Sequence, residues 1–205
     1  HYAYFLAWTG ANVNGEDARR VGLIDYLINN DQQEAVIDAI TSHAWVGDAA
    51  TTLDQLLDTF VQASSDFPPS QLAMHDQIIS ETVTTALASD NPVGIFLEQC
   101  EKLGGDKWLE RAAATFKSGT PTTAAIIYEQ IQRAKSMTSE QIFAMELTLA
   151  IQCSRHADFR EGIRALLIEK DNAPNWQYKM GAVPNEWVAA HFAEPWPVNP
   201  LSDLN

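Results

Sequence analysis

The richest group of ionisable side chains lies in one short stretch, residues 158–176, which reads DFREGIRALLIEKDNAPNW. Asp158 and Glu161 are candidates for a general acid and base, although that chemistry needs two carboxylates converging on a substrate in an apolar pocket. Arg160 and Arg164 lie one helical turn apart, a spacing that lets two guanidinium groups bind one phosphate. The residue types in this stretch therefore allow acid–base catalysis or anion binding.

The spacing of the same residues also predicts a purely structural role. Asp158 and Glu161, three positions apart and just before an apolar run, are typical of a capping box at a helix N-terminus. Lys170 suits the end of that helix, where a positive charge interacts favourably with the helix dipole. We therefore favour a capped helix with its arginines on a solvated face over an active site.

The rest of the sequence shows few other chemical signals. It contains no GxSxG, P-loop or GxGxxG motif, and its five histidines lack the spacing of metal ligands, so no metal site is expected. Cys100 and Cys153 lie in apolar helical patterns, which predicts buried free thiols in a reducing compartment. Trp176, Trp187 and Trp196 lie near a proline-rich end and are predicted to anchor an extended tail.

The composition excludes several classes of partner. Lys and Arg total 13 against 27 Asp and Glu, which gives a net charge of −14. Such a chain repels the phosphates of nucleic acids and of anionic membranes. No apolar run approaches the roughly 18 residues that a membrane span requires. A length of 205 residues with 46% hydrophobic residues predicts one ordinary folded domain.

The pattern of apolar residues predicts a mainly α fold with at most one or two short strands. Tyr2, Phe5 and Leu6 have helical spacing and Gly10 suits the position after a helix, so the first residues are predicted to be the last turns of a helix. The strand candidate is LIDYLI, residues 23–28. The Thr-rich segment 81–89 fits either a helix or a loop. Four helix starts are predicted from residue types that are favoured at the N-cap position: Asn14, Asn91, Asp106 and Thr138.

Two long segments carry a family resemblance. Residues 4–28 (YFLAWTGANVNGEDARRVGLIDYLI) and 143–176 (FAMELTLAIQCSRHADFREGIRALLIEKDNAPNW) resemble the 3-hydroxyisobutyryl-CoA hydrolase family, a branch of the enoyl-CoA hydratase/isomerase (crotonase) superfamily. Residues 118–135 are similar to its SPTSL helix, while residues 42–115 match weakly. The stretch at 158–176 is similar to the signature DF.EGVRA.LIDKD..P.W, which is specific to the hydrolase branch.

The resemblance implies a function for the parent protein. The expected reaction is hydrolysis of 3-hydroxyisobutyryl-CoA in valine breakdown, with the coenzyme A thioester as substrate and no separate cofactor. In the family the oxyanion-hole amides and catalytic acids precede the helix matched by residues 4–10, so no catalytic residue is expected in this chain. The chain alone is expected to be inactive. Lys170, at the position of the signature lysine, is expected to contact coenzyme A, and Phe159 to line the acyl side.

The resemblance also implies an organisation. Residues 1–30 are expected to be the tail end of a crotonase-like core, and residues 31–205 a helical C-terminal region packing with it as one unit. Tyr4, Phe5, Leu23 and Leu27 are then expected to need cover from a core made elsewhere or from self-association, which is compatible with a homo-oligomer. The expected location is the cytoplasm, or the mitochondrial matrix in a eukaryote. The alternatives are an enoyl-CoA hydratase/isomerase region and a non-catalytic helical interaction module.

Overall fold

The computed structural model describes residues 1–203, which form two compact units. The small unit is Asn12–Asp76, and the large unit is His1–Ala11 together with the chain from Gln77 onward. No strand is present among residues 1–203, so the predicted mainly α fold class is confirmed. None of the helices described there is long and apolar enough to cross a membrane. The predicted division at residue 30 stays a prediction.

The large unit consists of helices joined by short connections. Its α-helices are α1 (Tyr2–Thr9), α6 (Asp76–Leu87), α7 (Pro92–Gln99), α8 (Lys107–Ser118), α9 (Pro121–Ala134), α10 (Ser139–Arg155), α11 (Ala157–Ile163) and α12 (Asn185–His191). A 3₁₀ turn at Cys100–Lys102 follows α7, and a π-helical turn at Arg164–Ile168 follows α11. The open question about the Thr-rich segment is settled, because α6 continues through it to Leu87.

Local capping explains where several of these helices begin. The Asn91 side chain accepts from the Gly94 N–H, and Pro92 occupies the first helical turn of α7. Asp106 accepts from the N–H groups of the next turn, and Thr138 forms a capping box with Gln141. The three predicted N-caps in this unit are therefore confirmed.

An aromatic cluster forms the centre of the large unit. The rings of Phe96 and Phe116 lie 4.8 Å apart, nearly perpendicular, and Trp8 packs 4.8 Å from Phe96. Phe5 contacts Phe96 edge to face, and the Trp8 indole N–H donates to the Ala124 carbonyl at 3.0 Å. Edge-to-face and tilted aromatic pairs stabilise a core beyond the area that they bury. A second buried cluster of Ile126, Met145, Leu149 and Val188 joins α9, α10 and α12.

The first helix therefore belongs to the interior of this unit. Tyr4 and Phe5 are buried against residues that follow Gln77, so the expectation that these two need cover from elsewhere was wrong. Leu23 is 68% exposed and Leu27 is half-buried, so for these two the expectation stays a prediction. Helix α1 ends at Gly10, which adopts φ 58° as predicted for a helix C-terminus. A helix with Phe5 and Trp8 in the aromatic cluster contributes to the core of the unit itself.

The small unit has shorter and less buried helices. They are α2 (Gly15–Arg20), a 3₁₀ turn (Asn30–Gln32), α3 (Gln33–Ser42), α4 (Ala49–Ala63) and α5 (Gln71–Met74). Helices α3 and α4 pack together, yet neither has a fully buried residue. Helix α2 begins at the predicted N-cap, Asn14, in a capping box with Asp17.

Asp17 is the polar centre of the small unit. Its fully buried carboxylate accepts from the Asn14 N–H at 3.0 Å, from the Ser70 hydroxyl at 2.6 Å and from the Leu72 N–H at 2.9 Å. Three donors to one carboxylate compensate for its removal from water. This side chain therefore holds α2 and α5 together.

The predicted strand at residues 23–28 is wrong. These residues form an irregular segment between α2 and the 3₁₀ turn. A strand needs a partner for its backbone hydrogen bonds, and none of the described residues supplies one. The β-branched and aromatic composition of the segment therefore does not lead to a sheet in this chain.

Candidate functional site

A groove of about 650 Å³ in the large unit collects most of the chemically interesting side chains. Helices α9 to α12, the π turn and the segment around Trp176 all contribute to its lining. Its size falls in the range of small-molecule sites in proteins. Its polar and aromatic lining residues include Thr122, His156, Asp158, Phe159, Trp176 and His191.

Asp158 lies at the polar end of this groove and is 8% exposed. One carboxylate oxygen accepts from the Thr122 hydroxyl at 2.8 Å, and the other from the Gln177 N–H at 2.9 Å. These bonds connect α9, α11 and the segment that leads to α12. The predicted capping box is therefore wrong: no side chain caps the start of α11, and both oxygens of Asp158 bind groups distant in the sequence.

Glu161 has a partner other than the one predicted. Its carboxylate pairs with the Arg164 guanidinium at 2.7 Å and accepts from the Asn175 N–H at 2.7 Å. Arg164 also binds Glu169, and Asp171 at 2.7 Å. The hydrogen bonds from Arg164 and then from Asn175 lower the pKa of Glu161 to about 2, and the three carboxylates raise the pKa of Arg164.

This network weakens the idea of a phosphate clamp at Arg160 and Arg164. Both residues line a second cavity of about 420 Å³, together with Asp158 and Glu161. Because three carboxylates already surround the Arg164 guanidinium, a phosphate there would meet more negative than positive charge. The arginine pair is therefore not a preformed anion site.

His156 and His191 form a close pair of tilted rings beside Trp187. The two imidazole centroids lie 4.3 Å apart, and the Trp187 ring lies 4.6 Å from His156. Burial, and then the nearby His191, lower the pKa of His156, while Asp158 acts in the opposite direction. His156 is the junction between α10 and α11, with an extended backbone at φ −90° and ψ 158°.

The outer wall of the groove is apolar and open to solvent. Phe159, Leu166 and Leu167 are all more than half exposed, at 52%, 54% and 68%. Gly162 lies behind Trp176, where an added Cβ would already meet the indole at 3.4 Å. Leu166 and Leu167 belong to the π turn, in which the Glu169 N–H donates to the Arg164 carbonyl at 2.8 Å. π-Helical turns are rare in proteins, and those that occur are often found at functional sites.

The two predicted binding residues occupy different places. Phe159 lines the groove, whereas Lys170 is exposed beyond the π turn and is not among the groove residues. Lys170 does not end the helix as predicted, because the regular turns stop at Ile168. Its φ of 56° places it in the left-handed region that non-glycine residues seldom adopt. The roles of Phe159 and Lys170 toward a ligand stay predictions.

The sequence reading missed the histidine pair. His156 and His191 come from different helices, so no local motif connects them. The only available signal was the four-residue spacing of Trp187 and His191, which places both on one face of a helix. Cys153 also lines this groove and is half-buried, while Cys100 is buried, and burial raises its pKa to about 11. Within residues 1–203, no three His, Cys, Asp or Glu side chains group in a way that could hold a metal ion.

Trp176 and Trp187 hold the segment after the π turn against this region. Trp176 donates its indole N–H to the Ser118 carbonyl at 3.4 Å, and Trp187 packs on Tyr178 as well as on the histidines. Further along, Asn199 donates to the Ala144 carbonyl at 3.3 Å. Trp176 and Trp187 thus make anchoring contacts as predicted, and the anchoring role of Trp196 stays a prediction.

Comparison with known proteins identifies the sequence family that the chain matches. The sequence model of the Enoyl-CoA hydratase/isomerase family matches residues 1–192. The mitochondrial 3-hydroxyisobutyryl-CoA hydrolase of Danio rerio is 28% identical over 173 residues, which cover 84% of this chain and 44% of that protein. The Homo sapiens protein of the same name is 25% identical over 174 residues, which cover 85% and 44%. The chain thus spans less than half the length of these relatives.

Solved structures resemble the fold. A carnitinyl-CoA dehydratase from Mycobacterium thermoresistibile superposes with a TM-score of 0.74 at 23% identity, covering 98% of this chain and 57% of that one. An enoyl-CoA hydratase from Rhodobacter sphaeroides gives a TM-score of 0.70 at 22% identity, covering 94% and 51%. At these identities the likeness establishes the fold and leaves the reaction to be argued.

Proposed function

Because the chain belongs to the enoyl-CoA hydratase/isomerase family, we propose that the protein containing it hydrolyses an acyl-CoA thioester, with 3-hydroxyisobutyryl-CoA as substrate. The observation that carries this proposal is the match of most of the chain to relatives that bear the name of that hydrolase in fish and human. The signature at residues 158–176 supports the hydrolase branch in particular. Valine breakdown, and the mitochondrial matrix in a eukaryote, follow as part of the same proposal.

The proposed reaction has a simple balance. Water adds to the thioester carbonyl carbon, the carbon–sulfur bond breaks, coenzyme A leaves as the thiol, and the hydroxy acid is released. Catalysis of such a step relies on donors that stabilise the developing oxyanion and on groups that move the protons of water. We assign none of these roles to residues 1–205. Their proposed contribution is to cover the bound thioester.

Two side chains are proposed to contact the thioester. Phe159 offers an exposed aromatic face in the groove, and Lys170 offers an exposed ammonium group beyond the π turn. The expected effect of Lys170→Ala is a several-fold higher KM for the thioester with little change in kcat, because a charge contact made equally in ground and transition states affects binding alone. Lys179→Ala, at another exposed lysine, is the matched control and should leave KM unchanged.

The deciding experiment measures thiol release from 3-hydroxyisobutyryl-CoA by the complete protein and by residues 1–205 alone. A thiol reagent reports coenzyme A directly. We expect release by the complete protein and none by residues 1–205. Release by residues 1–205 at the rate of the complete protein would contradict the assignment of catalysis to groups outside this chain.

Hydration of an enoyl-CoA is the second candidate, favoured by the description of the family itself. The same preparation distinguishes the two reactions. Loss of the enoyl absorbance of a 2-enoyl-CoA without thiol release would indicate a hydratase, and thiol release from the hydroxyacyl thioester would indicate the hydrolase. Neither activity in the complete protein would favour the third alternative, a helical interaction module.

A further inference from the structure

The polar end of the groove contains a buried carboxylate whose hydrogen-bond partners are all uncharged. Asp158 has only neutral partners, the Thr122 hydroxyl and the Gln177 N–H. Within residues 1–203, no Lys, Arg or His nitrogen forms an ion pair with it. Each carboxylate oxygen can accept two hydrogen bonds, so Asp158 retains unused acceptor capacity. A protonated amine that reaches this carboxylate would form a charge-assisted hydrogen bond with it.

The walls of the groove suit a ligand that has a positive charge at one end and an apolar body. Phe159, Trp176 and Trp187 are aromatic, and the faces of such rings attract positive charge. Leu166 and Ile163 supply an apolar surface for the remainder of a ligand. The net charge of −14 further favours cations over anions near the protein.

We propose that this groove binds a small organic cation, namely a protonated amine on an apolar or aromatic body. Its N–H groups donate to the Asp158 carboxylate, and its body lies between Phe159 and Trp176. The site shares Phe159 with the proposed contact to the thioester, but its charge contact is made by Asp158, to which the proposed hydrolysis assigns no role. It selects against carboxylates and phosphates, which would face the Asp158 charge across a partly desolvated groove.

The test compares three probes of the same shape on the purified protein by titration calorimetry. They are 2-phenylethylammonium, 2-phenylethanol and 3-phenylpropionate, which differ in the charge of the polar end. We expect the ammonium to bind at least ten times more tightly than the alcohol, and the carboxylate to bind most weakly. Equal binding of all three, tighter binding of the carboxylate, or no binding of the ammonium up to millimolar concentration would overturn the proposal.

Variants locate the site. Asp158→Asn keeps an acceptor for Thr122 but removes the charge, so it should reduce ammonium affinity at least tenfold and leave the alcohol almost unaffected. Wild-type ammonium affinity in folded Asp158→Asn would refute the role of the carboxylate.

A pair of exposed phenylalanines keeps the test decisive if Asp158→Asn does not fold. Phe159 in the groove is 52% exposed, and Phe143 on α10, outside the groove, is 56% exposed, so replacing either with leucine should leave the fold intact. Phe159→Leu should lower the ratio of ammonium to alcohol affinity several-fold, and Phe143→Leu should not change it. An unchanged ratio in Phe159→Leu would overturn the proposed aromatic contact with the cation.

Discussion

The two units of the chain are stabilised in different ways. The large unit buries several aromatic rings against one another, with Phe5, Phe96 and Phe116 almost inaccessible to water. In the small unit, α3 and α4 also have an apolar stripe in the sequence. The side chains of these stripes are nevertheless only partly buried. Its most deeply buried polar group is the carboxylate of Asp17. An apolar stripe therefore predicts that a helix forms, but not how deeply its face is buried.

The largest expected effect tests the aromatic core. Phe116→Ala should lower the free energy of unfolding by about 3 to 5 kcal/mol, because it leaves a cavity among close-packed rings. Phe60→Ala, on the half-buried stripe of α4, should cost less than about 2 kcal/mol. Hydrogen exchange read by mass spectrometry measures each unit separately. Equal losses at the two positions would remove the distinction between the units.

The second prediction concerns the polar anchor of the small unit. Asp17→Ala leaves the Leu72 and Asn14 N–H groups without their acceptor, at a cost of about 2 to 4 kcal/mol. Asp17→Asn keeps one acceptor oxygen and should cost less. Faster exchange should be confined to residues 12–76. Faster exchange across the large unit as well would show that the units do not unfold independently.

A pair of glycines sharpens the comparison of packing density. Gly181 in the large unit and Gly47 in the small unit both have positive φ, at 76° and 87°. A Cβ on Gly181 would lie 2.6 Å from the Gly94 Cα, whereas a Cβ on Gly47 meets nothing within 4 Å. Gly181→Ala should therefore cost about 2 to 3 kcal/mol and Gly47→Ala about 1 kcal/mol. Equal losses in chemical denaturation would mean that backbone strain alone determines the result.

The smallest expected effect is that of removing Glu161 from its exposed carboxylate network, in contrast to the removal of buried Asp17. Because the folded-state pKa of Glu161 is lowered from 4.5 to about 2, its stabilising contribution is present above pH 4.5 and is lost as the pH falls toward 2. The melting temperature of Glu161→Gln should be slightly below that of the wild type at pH 7, and the difference should shrink below pH 4.5. Glu34→Gln, on the exposed face of α3, controls for the loss of one charge. A difference that is constant with pH would exclude the Arg164 network as its cause.

Much of the helical order could be predicted because its causes are local. Asn91, Asp106 and Thr138 bind N–H groups two or three residues away, and such contacts are visible in a linear sequence. Asp158 had the same appearance, but its carboxylate binds Thr122 and Gln177, which only the folded chain brings close. The strand expected at residues 23–28 failed for a related reason, because pairing depends on a partner elsewhere.

The candidate site was harder to predict than the fold. The sequence identified Phe159, which lies in the groove, but gave no reason to connect His156 with His191 or either of them with Asp158. Apolar periodicity also assumes 3.6 residues per turn, so it extended α11 smoothly through Leu166 to Lys170. The structure instead changes to a wider turn at Arg164.

Because of that wider turn, the shape of the groove wall depends on the number of residues in 164–168 as well as on their identity. A turn closed between Arg164 and Glu169 holds one residue more than an α-helical turn. Deleting a single residue from 164–168 would let the α-helix continue and would rotate every later side chain by about 100° around its axis. Leu167 would then point in a new direction although its chemistry had not changed. When related sequences are aligned, a gap within residues 164–168 therefore indicates a change in the surface that a ligand meets.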